Sequence, residues 1–262
     1  KNHIFKIDLD SGRLVWKKSV PPLPSTDSED STEDQQIWVH CVSNHEAIIA
    51  VSDSRRLYHL NPEDGQTRWS IADSGILIDT PALQNGQVLL GYSIPDKVEI
   101  RNLGDGAVVH SWKLEGDVPG LANAPVFAVD GCLYGTEGGL ITRKDADGLT
   151  LWEFKTPSPV SDIYFSLDQQ QVIARMYWTE QDPTLMGINF ESGDPSWQRK
   201  LPQELRRIVA IKSLGQELLV LCDGFTERSL LCLKTPETPT IQTIPEAELL
   251  WTRDLVPAYD AV

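Results

Sequence analysis

The side chains best suited to chemistry in this chain are its five histidines, its four cysteines and the acids of two short Asp/Gly runs. His40, Cys41 and His45 cluster as zinc ligands do, because thiolate and imidazole suit that ion. Successive residues of a strand point to opposite faces, however, so His40 and Cys41 cannot easily share one ion. Asp8-Leu9-Asp10-Ser11-Gly12 and Asp145-Ala146-Asp147-Gly148 match the start of a calcium loop, yet neither has the closing bidentate glutamate at the required distance. Both read as hairpin turns. A Gly-x-Ser-x-Gly elbow and a phosphate loop do not occur, and histidine spacing nominates no acid/base pair. No catalytic residue, cofactor-binding residue or metal ligand is expected, and no cofactor.

The elements that would position any site are set by an internal repeat. A short strand ends in an acid and a glycine, and a tryptophan follows: Gly12 to Trp16, Gly65 to Trp69, Gly106 to Trp112, Gly148 to Trp152, Gly193 to Trp197, and a degenerate copy at Trp251. Successive tryptophans lie 53, 43, 40, 45 and 54 residues apart, the length of a four-stranded propeller blade with variable loops. Four copies keep a four-residue glycine-to-tryptophan step; in the third, Trp112 lies six residues after Gly106. Alternating segments such as Ile4-Phe5-Lys6-Ile7 mark strands, and glycine takes the positive φ of the turn, so each copy is a hairpin. One tryptophan per copy at a constant position predicts an indole that packs between neighbouring blades and donates a hydrogen bond through its ring nitrogen. These eleven glycines and tryptophans are structural repeat positions.

Two further apolar segments separate successive hairpins, for example Ala124–Val129 and Cys132–Gly135 about a turn at Asp130-Gly131. Four short strands per unit, radially repeated, predict an all-β propeller, which hides its sheet edges by closing a ring. Residues 202–210 are assigned to a loop. The first unit supplies only its last two strands and five units are complete, so about five blades and a half are expected here, with the ring of six to eight completed by a longer parent chain. The chain reads as one domain over residues 1–262.

The repeat resembles the PQQ-like, tryptophan-docking repeat of quinoprotein dehydrogenases and of many propellers that bind no quinone. A quinone-binding member implies a vicinal cysteine pair and a Glu/Asn/Asp calcium set, and this chain has no Cys-Cys pair. The resemblance therefore implies the branch without quinone. Its expected function is a non-catalytic interaction or scaffold module whose partner is another protein, or further domains of the same polypeptide. A quinoprotein-type oxidoreductase domain is one alternative, and a periplasmic propeller lipoprotein of the outer-membrane assembly type is another.

A net charge of −15 with scattered cations supplies no basic face for nucleic acid. No apolar run approaches the roughly 20 residues of a membrane span, so membrane insertion is not expected. Residues 21–36 carry five acids within positions 27–34 and read as an acidic flexible loop between blades, with Ser25, Thr26, Ser28 and Ser31 set beside acids as in kinase sites. Cys41, Cys132, Cys222 and Cys232 fall in strands. The partner of Cys222 across its hairpin is expected near Ser229, which leaves no disulfide. With no Asn-x-Ser/Thr acceptor present, this points to a cytoplasmic compartment.

Overall fold

The computed structural model describes all residues except 1, 21–36, 43–46, 53–56, 73–74, 79, 115–119, 167–169, 179–180, 202–206, 224–227, 237–243, 245 and 256–262. The acidic loop, His45 and the tail after Leu255 therefore lie outside the described residues. Among those described there is no helix, and every sheet is antiparallel.

The first sheet is a hairpin, β1 (Asn2–Ile7) with β2 (Leu14–Val20). The second runs β3 (Ile37–Val42), β4 (Ala47–Ser52), β5 (Leu57–Leu60) and β6 (Thr67–Ile71), in order. His40 and Cys41 are consecutive residues of β3. The third splits its leading strand into β7 (Ile76–Leu77) and β8 (Ala82–Gln84), both paired to β9 (Gln87–Ile94). It continues through β10 (Asp96–Asn102) and β11 (Val108–Lys113). The fourth is β12 (Val126–Ala128), β13 (Gly131–Gly135), β14 (Leu140–Asp145) and β15 (Thr150–Lys155). The fifth is β16 (Val160–Ser166), β17 (Gln171–Trp178), β18 (Gln181–Asn189) and β19 (Pro195–Lys200). The sixth is β20 (Arg207–Leu214), β21 (Glu217–Asp223), β22 (Arg228–Lys234) and β23 (Glu248–Leu255). Residues 207–210, expected in a loop, open β20: Ile208 pairs with Cys222 and is buried, so strand pairing overrides the polar run before it. The turn between β12 and β13 is Val129-Asp130, one residue earlier than expected, because Gly131 already pairs with Ala128. Cys222 faces Ser229 across its hairpin, as the spacing predicts.

The chain divides into two compact units, Lys1–Glu115 and Gly116–Val262. Within each, the cores lie between consecutive sheets. Ile4 and Trp16 of the first sheet pack with Tyr58 and Leu60 of the second, and Leu57 and Trp69 of the second with Val88 and Leu90 of the third. In the second unit the fifth sheet is buried on both faces: Val172, Ala174 and Met186 pack with the fourth sheet, Ile173 and Leu185 with the sixth. This is why the middle strands read as continuous apolar runs. The last strands differ: β6 and β15 bury little beyond their tryptophan. A unit of four short strands cannot enclose a core alone, so its stability comes from its neighbours.

Candidate functional site

The repeated hairpin turn is where the sequence is most regular, and its geometry explains that regularity. Asp8, Asn61, Asn102 and Asn189 sit four residues before the glycine, whose N–H donates to their backbone carbonyl at 2.8–2.9 Å. Their side-chain oxygens accept N–H groups inside the turn: Ser11 on Asp8 at 2.8 Å, Glu63 on Asn61 at 3.1 Å, Gly104 on Asn102 at 2.7 Å, Ser192 on Asn189 at 2.9 Å. Asp145 acts likewise on Asp147 at 3.0 Å, in a turn one residue shorter. The Asx residue thus closes the turn from within, and the glycine takes φ of +65° to +83°. The two calcium-like runs are turns of this kind. The Ser11 hydroxyl donating to Asp8 also holds its carboxyl below the usual carboxylate range.

Three of the turn glycines, Gly65, Gly106 and Gly193, each form a seat for a tryptophan of the preceding sheet. Trp16 donates to the Pro62 carbonyl at 3.0 Å, Trp69 to Leu103 at 2.8 Å and Trp152 to Phe190 at 2.8 Å. The same three indoles lie flat on Gly65, Gly106 and Gly193. A Cβ on these glycines would sit 2.6, 2.8 and 2.8 Å from the ring. The residue paired with the tryptophan reinforces two of the seats. Lys6, opposite Trp16, also donates to Pro62 at 2.8 Å. Arg143, opposite Trp152, donates to Phe190 at 2.8 Å and stacks on its ring at 3.6 Å, while binding Asp130 at 3.0 Å and Glu191 at 3.3 Å. Opposite Trp69 stands His59, fully buried, with ring centroids 5.2 Å apart. In the third sheet, Arg101 donates to the Gly106 carbonyl at 2.9 Å and pairs with buried Glu99 at 2.7 Å, which Lys97 holds at 2.8 Å on its other oxygen. Burial would raise the Glu99 pKa, but Lys97 and Arg101 outweigh it and hold the carboxyl below its usual range.

The register identifies the docking position independently of spacing. In every sheet a bulge falls beside it, so the next paired residue lies two positions back: Lys6 opposite Trp16, then Ile7 opposite Leu14. By that rule the third sheet places His110, not Trp112, at the docking position: Ile100 pairs with His110 and Arg101 with Val108. Trp112 lies one pleat further and stacks on His110 with centroids 5.4 Å apart. This accounts for the six-residue step. Trp197 keeps the register but not the seat. It is fully buried, yet its ring nitrogen donates to Gln171 at 2.8 Å and its ring lies over Gly187, both in its own sheet. Trp251 keeps the register opposite Cys232 and is 42% exposed. Gly12 has φ of +65° with nothing within 4 Å of a Cβ, and Gly148 has φ of +83°. Spacing marks Asp8 and Asp145 only as acids of calcium-like runs and passes over Asn61, Asn102, Asn189, Arg143 and Gly187; the three asparagines recur four places before the glycine, a signal that could have found them. Among the described residues, no group of three or more His, Cys, Asp or Glu side chains is arranged to hold a metal ion.

Four-stranded antiparallel sheets carrying a bulged, tryptophan-bearing last hairpin define a β-propeller of PQQ-like repeats. The chain belongs to the family described as outer membrane protein assembly factor BamB, whose model matches residues 1–216. It is 22% identical over 241 residues to the outer membrane protein assembly factor BamB of Yersinia pestis, covering 82% of this chain and 60% of the relative. The chain therefore spans about 60% of the length of that curated relative. Among solved structures it is similar to BamB from Moraxella catarrhalis, with a TM-score of 0.62 at 14% identity over 97% of this chain and 71% of that one. It is also similar to the dihydro-heme d1 dehydrogenase NirN, with a TM-score of 0.63 at 13% identity over 96% and 55%. A chain of the mitotic checkpoint complex gives 0.66 at 10% identity over 98% and 75%. At these identities the structural likeness shows the fold alone.

The family membership corrects the cytoplasmic compartment expected from the cysteines, since these relatives are assembly factors of the outer membrane. The physical reason is that Cys132, Cys222 and Cys232 are buried packing side chains. Burial pushes the Cys132 thiol up to about 12, which suppresses the reactive thiolate whatever the redox setting. Such cysteines report on core packing, not on compartment.

Proposed function

We propose that this chain is a non-catalytic protein-interaction module that serves outer-membrane protein assembly, binding another protein of that machinery as a BamB-type factor. The observation that carries this reading is the family match across residues 1–216. The geometry supports it. Three of the repeated tryptophan–glycine pairs join consecutive sheets, and the exposed parts are turns and last strands whose residues differ from copy to copy. Such surfaces are where a rigid repeat scaffold carries recognition.

The test is affinity purification of the tagged full chain after crosslinking in the envelope of a Gram-negative host, with mass-spectrometric identification of what is retained. The expected result is recovery of an outer-membrane assembly component, and fractionation of the chain with the envelope. Recovery of no such component, together with turnover of a small molecule by the purified chain, overturns the reading.

A further inference from the structure

The fourth, fifth and sixth sheets enclose a pocket of about 320 Å³ beside their leading strands, at the small end of ligand cavities. Its walls are mixed, the apolar part coming from Ile163 and Phe165 of β16 and Ile211 of β20, and Lys212 is the charged residue of the lining. Ser166 and Ser213 also line it. They hold equivalent register positions in successive sheets, each paired with the residue five places on: Ser166 with Gln171, Ser213 with Leu218. Both are more than nine-tenths buried, at 7% and 9% exposure, and neither hydroxyl oxygen has a hydrogen-bond partner among the described residues.

A buried hydroxyl without a partner is destabilising, and alanine would fill the same space without that cost. The third and fourth sheets have Leu83 and Phe127 at the same register. The serines therefore occur in the two sheets whose residue at this register lines the pocket, whereas the fourth sheet reaches it through Val126. Turned into the pocket by a change of χ1 rotamer, two hydroxyls can both donate to an acceptor-only group, and one ammonium balances one negative charge. A carboxylate on a compact apolar body meets all three conditions, whereas a phosphate dianion would leave charge unbalanced among aliphatic walls.

We propose that this pocket binds a small apolar carboxylate, either a free aryl or medium-chain acid or the C-terminal residue of a peptide ending in an apolar side chain. The site is independent of the protein-interaction reading and stands or falls separately. Titration calorimetry of the full chain tests it with two probes, 4-phenylbutyrate and an N-acetylated tripeptide ending in leucine, each beside its C-terminal amide. At least one acid is expected to bind, with its amide weaker by about tenfold or more, and whichever acid binds tells which source the pocket accepts. Lys212 is exposed, so Lys212→Met should fold normally and bring the acid down to the level of its amide. Ser166→Ala and Ser213→Ala should weaken the acid severalfold while Tm stays the same or rises, which a purely structural serine would not do. Equal binding of acid and amide, binding unaltered in Lys212→Met, or no binding of either probe at about 10 mM overturns the proposal.

Discussion

At the junction of the fourth and fifth sheets Trp152 crosses to Gly193 and the Phe190 carbonyl; at the next junction Trp197 lies back over Gly187 and Gln171 of its own sheet. The two residues share a register, opposite Arg143 and Gly187 respectively. What differs is the seat. The fifth sheet offers a positive-φ glycine in its last hairpin, and the sixth has no glycine between β22 and β23. Gly187 then supplies room that a side chain would occupy, and the indole folds onto it. The second junction is held differently: Trp197 shares a buried cluster with Leu201, Ile208, Leu218 and Leu231, the Tyr164 hydroxyl donates to the Ile208 carbonyl at 3.0 Å, and Arg199 donates to Glu246 at 2.9 Å. An indole thus docks on the next sheet's last turn where that turn presents a glycine, as at Gly65, Gly106 and Gly193.

The largest effect should come from the tryptophans themselves. Trp152→Ala and Trp197→Ala are each expected to cost about 3–5 kcal/mol in urea unfolding, but hydrogen exchange should separate them. The first should expose amides of the fourth sheet and of the fifth sheet's last turn at Phe190–Gly193, the second those of the middle strands of the fifth and sixth sheets. Identical exchange patterns would erase the distinction between latch and self-packing. Next come the glycines. Gly193→Ala combines a left-handed backbone with overlap on Trp152, for about 2–4 kcal/mol, whereas Gly12→Ala meets open space and should cost about 1–2 kcal/mol from φ alone. A difference near zero would mean that the seat contributes nothing beyond the turn.

Arg143→Met should cost about 2 kcal/mol, since it removes charge-assisted bonds to Asp130 and Phe190 while leaving an exposed carboxylate that water can solvate. At the second junction Arg199→Met should be nearly silent, its partner Glu246 being largely exposed. The smallest effect concerns Glu99, whose Arg101 partner braces the Trp69 seat. A carboxyl held below its ordinary value when folded stabilises the fold above its unfolded pKa, near 4.5, and loses that contribution as pH falls through the folded value. Stability should therefore decline on acidification below about pH 4.5, and Glu99→Gln should flatten that decline. An unchanged acid limb in the variant would show the shift to be immaterial.

The Gly12–Trp16 and Gly193–Trp197 steps made the hairpins legible because two constraints, positive φ and a bulky aromatic, recur at a fixed interval. Spacing could not see that His110 replaces tryptophan in the third sheet, because the docking position is defined by pairing across a bulge and not by distance along the chain. Nor could it see Gly187. A strand glycine looks like a weak β-former until the indole opposite it is placed. The serines of the pocket were equally silent, since a lone serine in an apolar strand reads as tolerated polarity until its hydroxyl is found buried and unpartnered.

The seats also have a direction. Trp16, Trp69 and Trp152 each dock on a turn made later in the chain, never earlier. Each of these three indoles therefore gains its hydrogen bond only once the following sheet has formed its last hairpin, so the dependence between sheets runs one way along the chain. Trp197 differs in that its hydrogen bond goes back to Gln171, already made, while the cluster that buries its ring still waits for Leu218 and Leu231 of the sixth sheet.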